Sequence, residues 1–261
     1  MSMYALVSPG GSAGATTAAL ALTLTWPRPV ILAECDPAGG DILAGLFAGH
    51  LRAPRGLLGV AFEAGRGAVV MSAGVGGHLA PLDGSGSRMF LAGLSDPRQA
   101  PGLAPAWPAI ARTLASQPCD IIADCGRLDA GEGQPSSVVA RAELVAMVIR
   151  PSLRQIAAAR PRIEMLAHLR NGLERVGLLL VGDKGHSPAE ISRTLGVRVL
   201  ARIPSDPRTA AVLSDGIGRR SSLDDRPLLR AAKTVGQALV EAAAGVADAG
   251  SDRASANGRM A

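Results

Sequence analysis

Short apolar runs and longer apolar stretches alternate along the chain, separated by turn residues. The first two runs, 4–8 and 29–34, have the length of buried strands, and the stretch between them, 16–25, has the length of a helix. Strands that alternate with helices in this way form parallel sheets. Further strands are predicted at 78–82, 89–91, 120–124, 144–149, 176–181 and 197–203.

The predicted helices lie between these strands, at 42–51, 57–64, 104–114, 152–169 and 188–195, with a last helix at 227–247. We therefore expect an α/β fold with a doubly wound, mostly parallel sheet and helices on both faces, as in P-loop NTPases. A chain of 261 residues, 48% of them hydrophobic, is long enough for one such core. Small and polar residues dominate 248–261, which predicts a disordered tail after a single domain at 1–247.

Charge, cysteine content and the length of apolar stretches indicate which partners and which compartment suit the protein. The formal net charge is +5, carried mostly by arginines that are spread along the chain. This balance permits non-specific contact with DNA, for which Arg150, Arg154 and Arg160 are the best candidates, but it also fits a GC-rich genome and a solvated face. Three cysteines without a Cys-x-x-Cys pair favour a reducing cytoplasm. No apolar stretch reaches the roughly 18 residues of a membrane span.

A Gly-rich loop stands between the first strand and the first helix. Backbone N–H groups of such a loop can cradle phosphates, and the N-terminus of the following helix adds a favourable dipole. Thr16 occupies the position whose hydroxyl holds Mg²⁺ in a P-loop. The same pattern also fits a simple turn before a helix. The candidate nucleotide-binding residues are Gly10, Gly11, Ser12, Ala13, Gly14, Ala15, Thr16 and Thr17.

Two acidic residues follow at the ends of later strands. Asp36 comes after the second strand, where ligands sit at the carboxyl edge of a parallel sheet. It can orient an attacking water, as a catalytic residue, or bind Mg²⁺; a solvated turn is the alternative. Asp124 ends the apolar strand 120–124 and stands two residues before a glycine, Gly126, a pattern typical of a Walker B strand. Thr16, Asp36 and Asp124 are therefore the candidate metal ligands.

In this order, the three segments resemble the MinD/ParA family of deviant P-loop ATPases. The family loop K-G-G-x-G-K-T-T aligns with 10–17, its D-x-D-P-x-G-G with 34–40, and its D-x-P switch in part with Asp124 and Gly126. The late I-P-x-D segment of the family is similar to 203–206. The resemblance covers roughly residues 3–245 and is nearest to the CpaE/TadZ branch, whose members help to place Tad-type pilus or secretion machinery.

The resemblance implies ATP and Mg²⁺ as ligands, a homodimer, protein partners and a cytoplasmic protein that reaches the membrane through its partners. Both family lysines are absent, however: Gly10 replaces the signature lysine and Ala15 the P-loop lysine. A charge-assisted bond to phosphate is worth about 1.5–3 kcal/mol, so its loss weakens binding by roughly ten- to a hundred-fold. We therefore expect weak or absent nucleotide binding and little or no hydrolysis.

Three functions stay open at this point. The first is a nucleotide-sensing or scaffolding protein of a Tad-type pilus or secretion machine. The second is a ParA-type partition ATPase that binds DNA non-specifically, which predicts hydrolysis and salt-dependent DNA binding. The third is an interaction module that keeps the fold and needs no nucleotide.

Overall fold

A computed structural model describes the chain at residues 1–11, 13–47, 55–65, 75–131, 133–216, 223 and 225–257. Eight strands in this part form one sheet in the order β3-β4-β2-β5-β1-β6-β7-β8. Every pairing is parallel except the edge pair β3–β4. The strands are β1 (Met3–Ser8), β2 (Val30–Glu34), β3 (Leu79–Pro81), β4 (Arg88–Leu91), β5 (Asp120–Arg127), β6 (Leu144–Ile149), β7 (Val176–Val181) and β8 (Val199–Ile203).

Helices cover both faces of this sheet, because the central strands are apolar on both sides. Along β1, Met3, Ala5 and Val7 enter one core cluster, while Tyr4 and Leu6 enter the other. The predicted doubly wound α/β fold is therefore confirmed. The helices are α1 (Ala15–Thr25), α2 (Gly56–Gly65), α3 (Ala100–Leu103), α4 (Trp107–Ala115), α5 (Ser136–Arg141), α6 (Leu153–Arg170), α7 (Pro188–Leu195), α8 (Pro207–Asp215) and α9 (Pro227–Asn257).

Local sequence signals place the ends of α7 as predicted. Ser187 caps its N-terminus in a capping box with Glu190, Pro188 takes the first helical position, and Gly196 ends the helix in a left-handed conformation. Each of these residues has the conformation or the hydrogen-bonding group that its position requires.

The helix predicted at 42–51 is wrong over the part that the structure describes, because residues 42–47 form turns; 48–51 lie outside the described residues. Backbone contacts from elsewhere hold this segment in place. The Ile42 N–H donates to Glu34 Oε1, and Gly45 packs against the Ser214 carbonyl. Tertiary contacts thus override a helical pattern of apolar residues.

Other predicted bounds shift at their ends. The segment predicted as one helix at 104–114 begins as a 3-10 turn, Ala104–Ala106, before α4. The helix predicted at 227–247 continues to Asn257, although most of residues 248–257 are Gly, Ser, Asp and Asn, which have low helix propensity. The division into a domain at 1–247 and a tail at 248–261 stays a prediction.

Within the described residues, no helix combines the length and apolar character needed to cross a bilayer.

Candidate functional site

The Gly-rich loop joins the end of β1 to the start of α1 at the carboxyl edge of the sheet. Gly14 is the N-cap of α1 and has a φ of 95°, a left-handed conformation that glycine adopts without strain. Its carbonyl accepts the first helical bond, from the Ala18 N–H at 2.9 Å. The N-terminus of an eleven-residue helix therefore faces the space above the sheet.

Thr16 and Asp124 are hydrogen-bonded to each other in this space. Asp124 is 2% exposed, and burial raises the pKa of its carboxyl to about 6 against the lowering effect of bonds from the Thr16 side chain and the Gly126 N–H. Since the Thr16 hydroxyl gives its proton to Asp124, the lone pairs of its oxygen are left for another partner. Asp124 thus orients the Thr16 hydroxyl, although only Thr16 of the two lines the cleft described below.

Asp36 lies immediately beside the end of β5. Its Oδ1 accepts a hydrogen bond from the Ala38 N–H at 2.8 Å. A Cβ added to Gly126 would stand 1.9 Å from Asp36 Oδ2, and Gly126 has a φ of +59°. Burial raises the pKa of Asp36, and Asp41 raises it further.

Glu34, the other acid of this segment, joins two loops by accepting a hydrogen bond from each. Its Oε1 accepts from the Ile42 N–H and its Oε2 from the Gly93 N–H, both at 3.0 Å. Burial raises its pKa to about 7 in spite of these two bonds. Glu34 fixes the segment that carries Asp36 and Asp41, and it uses both oxygens to do so.

These elements enclose a cleft of about 870 Å³ at the carboxyl ends of β1, β2 and β5. The predicted residues Gly11, Ala13, Gly14, Ala15, Thr16, Thr17 and Asp36 line it, and Gly10 does not. Ser12 lies outside the described residues. Other residues of the lining were not candidates in the sequence, and they include Ser8, Asp41, Gly45, Arg127, Leu213, Ser214 and Asp215.

A second cleft of about 310 Å³ adjoins the first and shares Gly14, Thr17, Ser214 and Asp215 with it. The predicted segment at the end of β8 lines it, through residues 203–207. Thr17 and Ser214 are 3.3 Å apart, hydroxyl to hydroxyl, at the boundary between the two clefts. The pair of clefts therefore extends from the Gly-rich loop to the loop after β8.

One wall of the two clefts is formed by α8, a helix that was not predicted from the sequence. Its N-cap is Asp206, which accepts from the Thr209 N–H at 3.1 Å and from the Thr209 hydroxyl at 2.6 Å. Pro207 follows at the first helical position. An Asp-Pro pair of this kind is a helix-start signal, so α8 and its cleft residues were detectable in the sequence.

The larger cleft is lined by more acid than base. Asp36, Asp41 and Asp215 face it, and Arg127 is the one basic residue among its described lining. Ala15, where the P-loop lysine of the resembling family stands, is 7% exposed. An anion in this cleft therefore needs a cation as a companion.

The oxygen ligands of this site fit Mg²⁺ as a shared ligand of protein and phosphate. No group of three or more His, Cys, Asp or Glu residues within the described part is placed to hold a metal ion. Mg²⁺ usually takes one or two protein oxygens and completes its shell with water and phosphate. The Thr16 hydroxyl and the Asp36 carboxylate both line the cleft and suit that pattern.

Cys35 and Cys125 lie side by side below the site, as free and buried thiols. The hydrogen bond with Cys35, together with burial, raises the pKa of Cys125 well above its usual range. Because the thiolate is the reactive form, this environment makes Cys125 an unreactive core residue.

The predicted arginine face divides between two environments. Arg150 lines the second cleft, and Arg160 donates from Nη2 to the Thr194 carbonyl at 3.3 Å. Arg154 is exposed at the start of α6. Non-specific binding of DNA through these residues stays a prediction.

Comparison with known proteins identifies the fold. No family model matches the sequence, and no curated protein matches it. The ParA family ATPase of Chlorobium tepidum superposes with a TM-score of 0.70 at 15% identity, over 90% of this chain and 98% of that one. The MinD cell division protein of Aquifex aeolicus gives 0.68 at 15% identity, over 92% and 98% of the two chains.

A third solved structure holds ligands: MinD of Pyrococcus horikoshii, complexed with Mg-ADP, gives a TM-score of 0.66 at 18% identity, over 90% and 94% of the two chains. At these identities the likeness establishes the fold alone. The chain has the P-loop NTPase fold of the MinD and ParA ATPases, and its Gly-rich loop stands between the first strand and the first helix of that fold.

Proposed function

We propose that this protein is a nucleotide-responsive scaffold of the MinD/ParA kind, which binds Mg·ATP weakly and hydrolyses little or none of it. We further propose that it acts as a homodimer in the cytoplasm and positions a Tad-type pilus or secretion machine through protein partners. The observation that carries the first proposal is the pairing of Thr16 with Asp124 at the start of α1, beside Asp36, while Ala15 replaces the lysine.

The binding half of the proposal is supported by what the site retains. The helix N-terminus, the Thr16 hydroxyl and two adjoining clefts are all present, and the volumes of the clefts suit a ligand with phosphates at one end and a ring at the other. The likeness to a MinD that holds Mg-ADP agrees with this ligand class. Because the larger cleft is lined mostly by acids, we expect binding to require Mg²⁺ and to disappear when EDTA removes it.

The scaffolding half is supported by what the site lacks. A lysine on the transferring phosphate stabilises charge in the transition state, and loss of one such donor typically costs on the order of 10²–10³ in rate. Ala15 cannot supply that charge. Asp36 can still hold metal or water, so bound nucleotide would act as a signal for dimerisation and would turn over slowly.

Calorimetric titration of Mg·ATP into the native protein and the Ala15→Lys and Ala15→Met variants tests the binding half. We expect native affinity to be roughly ten- to a hundred-fold below that of Ala15→Lys and similar to that of Ala15→Met, which adds length without charge. Absence of binding in native and Ala15→Lys protein would overturn the nucleotide-responsive function and favour the interaction module. Light scattering with and without Mg·ATP tests the homodimer in the same samples.

Cellular experiments test the role. Deletion of the gene should abolish or misplace pili or secretion sites, and the Thr16→Ala variant should fail to restore them if nucleotide is the signal. Full rescue by Thr16→Ala would favour the module that needs no nucleotide. Salt-dependent binding of DNA together with ATP hydrolysis would instead favour the partition ATPase.

A further inference from the structure

Arg127 is placed where a cation could reach phosphates held by the Gly-rich loop. It is the last residue of β5 and pairs in register with Ser8, the last residue of β1 before the loop. The Leu128 N–H donates to the Ser8 carbonyl at 2.9 Å, which holds the two strand ends together. The side chain lines the same cleft as Ala15 and Thr16.

Asp129 orients the guanidinium of Arg127 and leaves part of it available to a ligand. Its Nε lies 2.5 Å from Asp129 Oδ2, and its side chain is 57% exposed. Neither of its terminal nitrogens has a hydrogen bond or ion pair with any described residue. A guanidinium held through Nε keeps its two Nη groups as a fork that matches phosphate oxygens.

A second arginine offsets the charge of Asp129. Arg162, on α6, lies 3.0 Å from Asp129 Oδ1 through Nη2 and donates from Nε to the Leu128 carbonyl at 3.2 Å. Two guanidiniums therefore share one carboxylate, and the group keeps a net positive charge. Since Arg127 lines the cleft and Arg162 does not, the surplus charge is available to the cleft at Arg127.

We propose that Arg127 supplies part of the phosphate-binding charge that the missing P-loop lysine would give, with Asp129 and Arg162 as the residues that position it. This assignment rests on the proposed function, because it concerns the same nucleotide. It places the phosphate-binding charge on the strand beside the loop, where Ala15 leaves room for it. It also connects the nucleotide to α6 through Asp129 and Arg162, so that a ligand bound in the cleft can change the position of α6.

Calorimetric titration of Mg·ATP into the Arg127→Gln variant tests the assignment. We expect the affinity to fall roughly ten- to a hundred-fold below native, since each charge-assisted bond to phosphate is worth about 1.5–3 kcal/mol. Arg98→Gln is the matched control, because Arg98 forms the same kind of pair with an aspartate two residues away, Asp96, and lines neither cleft. It should bind as the native protein does. Urea denaturation of both variants checks that they are folded.

The Ala15→Lys/Arg127→Gln double variant separates replacement from a general effect of charge. If Arg127 does the work of the lysine, its loss should matter less once Lys is present, so the two changes are not additive. Equal binding by native and Arg127→Gln protein would overturn the role of Arg127 and leave the proposed function intact. Absence of native binding, with binding by Ala15→Lys, would overturn both.

Discussion

Asp36 and Gly126 lie so close that any side chain at Gly126 would overlap the Asp36 carboxylate, with 1.9 Å between an added Cβ and Oδ2. The contact joins the segment after β2 to the end of β5. Because Gly126 also has a φ of +59°, the position demands glycine for two separate reasons. Its neighbour Arg127 depends on the same turn for its place at the cleft.

The Gly126→Ala variant should therefore lose both stability and the position of Asp36. We expect the free energy of unfolding in urea to fall by about 2–4 kcal/mol, and Mg·ATP binding to weaken, because Asp36 must move. Gly86→Ala is the control: Gly86 has a φ of +68° but open space around its Cβ, so it shows the backbone cost alone, about 1–2 kcal/mol. Equal losses in the two variants would contradict the importance of the Asp36 contact.

Glu34 should make the stability of the protein depend on pH. Burial raises its pKa from 4.5 to about 7 in the folded state, so the folded protein binds more protons than the unfolded chain between these values. Its contribution to the free energy of unfolding is therefore fully present below pH 4.5 and is lost as pH rises to about 7, by on the order of 3 kcal/mol.

Urea denaturation at several pH values checks this. The quantity to follow is the free energy of unfolding of the native protein minus that of the Glu34→Gln variant. It should fall across pH 4.5 to 7 and stay level above pH 7. Glu190→Gln is the control, since the pKa of Glu190 is lowered by its hydrogen bonds to Ser187 and gives no decline in this window. Parallel native and Glu34→Gln curves would show that Glu34 does not titrate in that range.

The sequence predicts the elements of the fold better than it predicts the residues that face the cleft. Alternating apolar runs identify β1, β2, β5, β6 and β7, because buried parallel strands are apolar on both sides. Arg127 carries no such signal. It reaches the cleft because β5 extends beyond Asp124 and pairs with Ser8 across a register shift, and pairing between distant segments cannot be read from local pattern.

The same limit explains the error at 42–51. Ile42 and Leu46 are buried as a helical pattern would require, yet the backbone is fixed by Glu34, eight residues before Ile42, and by Ser214, which is distant in sequence. Asp41 lines the cleft as a result. Contacts over long sequence separations thus account for the position of Arg127 at the cleft and, through Ser214, for the wrong helix.

Asp120 is the first residue of β5 and stabilises the amino ends of the strands, opposite the carboxyl ends that form the cleft. Its carboxylate is fully buried and accepts from the Ser2 N–H and Trp26 Nε1, both at 2.9 Å, and it forms an ion pair with Arg28 at 2.7 Å. Replacement by alanine leaves these donors without their acceptor. We expect Asp120→Ala to lower the free energy of unfolding by about 3–5 kcal/mol in urea.

The Asp83→Ala variant provides a control with the same ion-pair distance and less burial. Asp83 pairs with Arg88 at the same 2.7 Å, but the side chains are 25% and 29% exposed. We expect its loss to cost about 1 kcal/mol or less. A similar cost for the two variants would mean that the buried network around Asp120 adds nothing beyond one surface pair.

Gly45 sets how closely α8 approaches the segment 42–47. A Cβ on Gly45 would stand 1.9 Å from the Ser214 carbonyl oxygen, so alanine must push the end of α8 outward. That movement should break the 3.3 Å contact between the Thr17 and Ser214 hydroxyls and widen both clefts. We expect Gly45→Ala to cost about 1–3 kcal/mol of unfolding free energy and to weaken Mg·ATP binding.

The control for this change is Gly102→Ala, because Gly102 lies in α3 with open space around its Cβ. An alanine there should leave binding unchanged and stability equal or slightly higher, since alanine favours a helix. Calorimetry and urea denaturation on both variants separate two effects of Gly45. Loss of stability with unchanged affinity would show that α8 packs on the domain without shaping the ligand site, whereas loss of both would make α8 the wall that closes it.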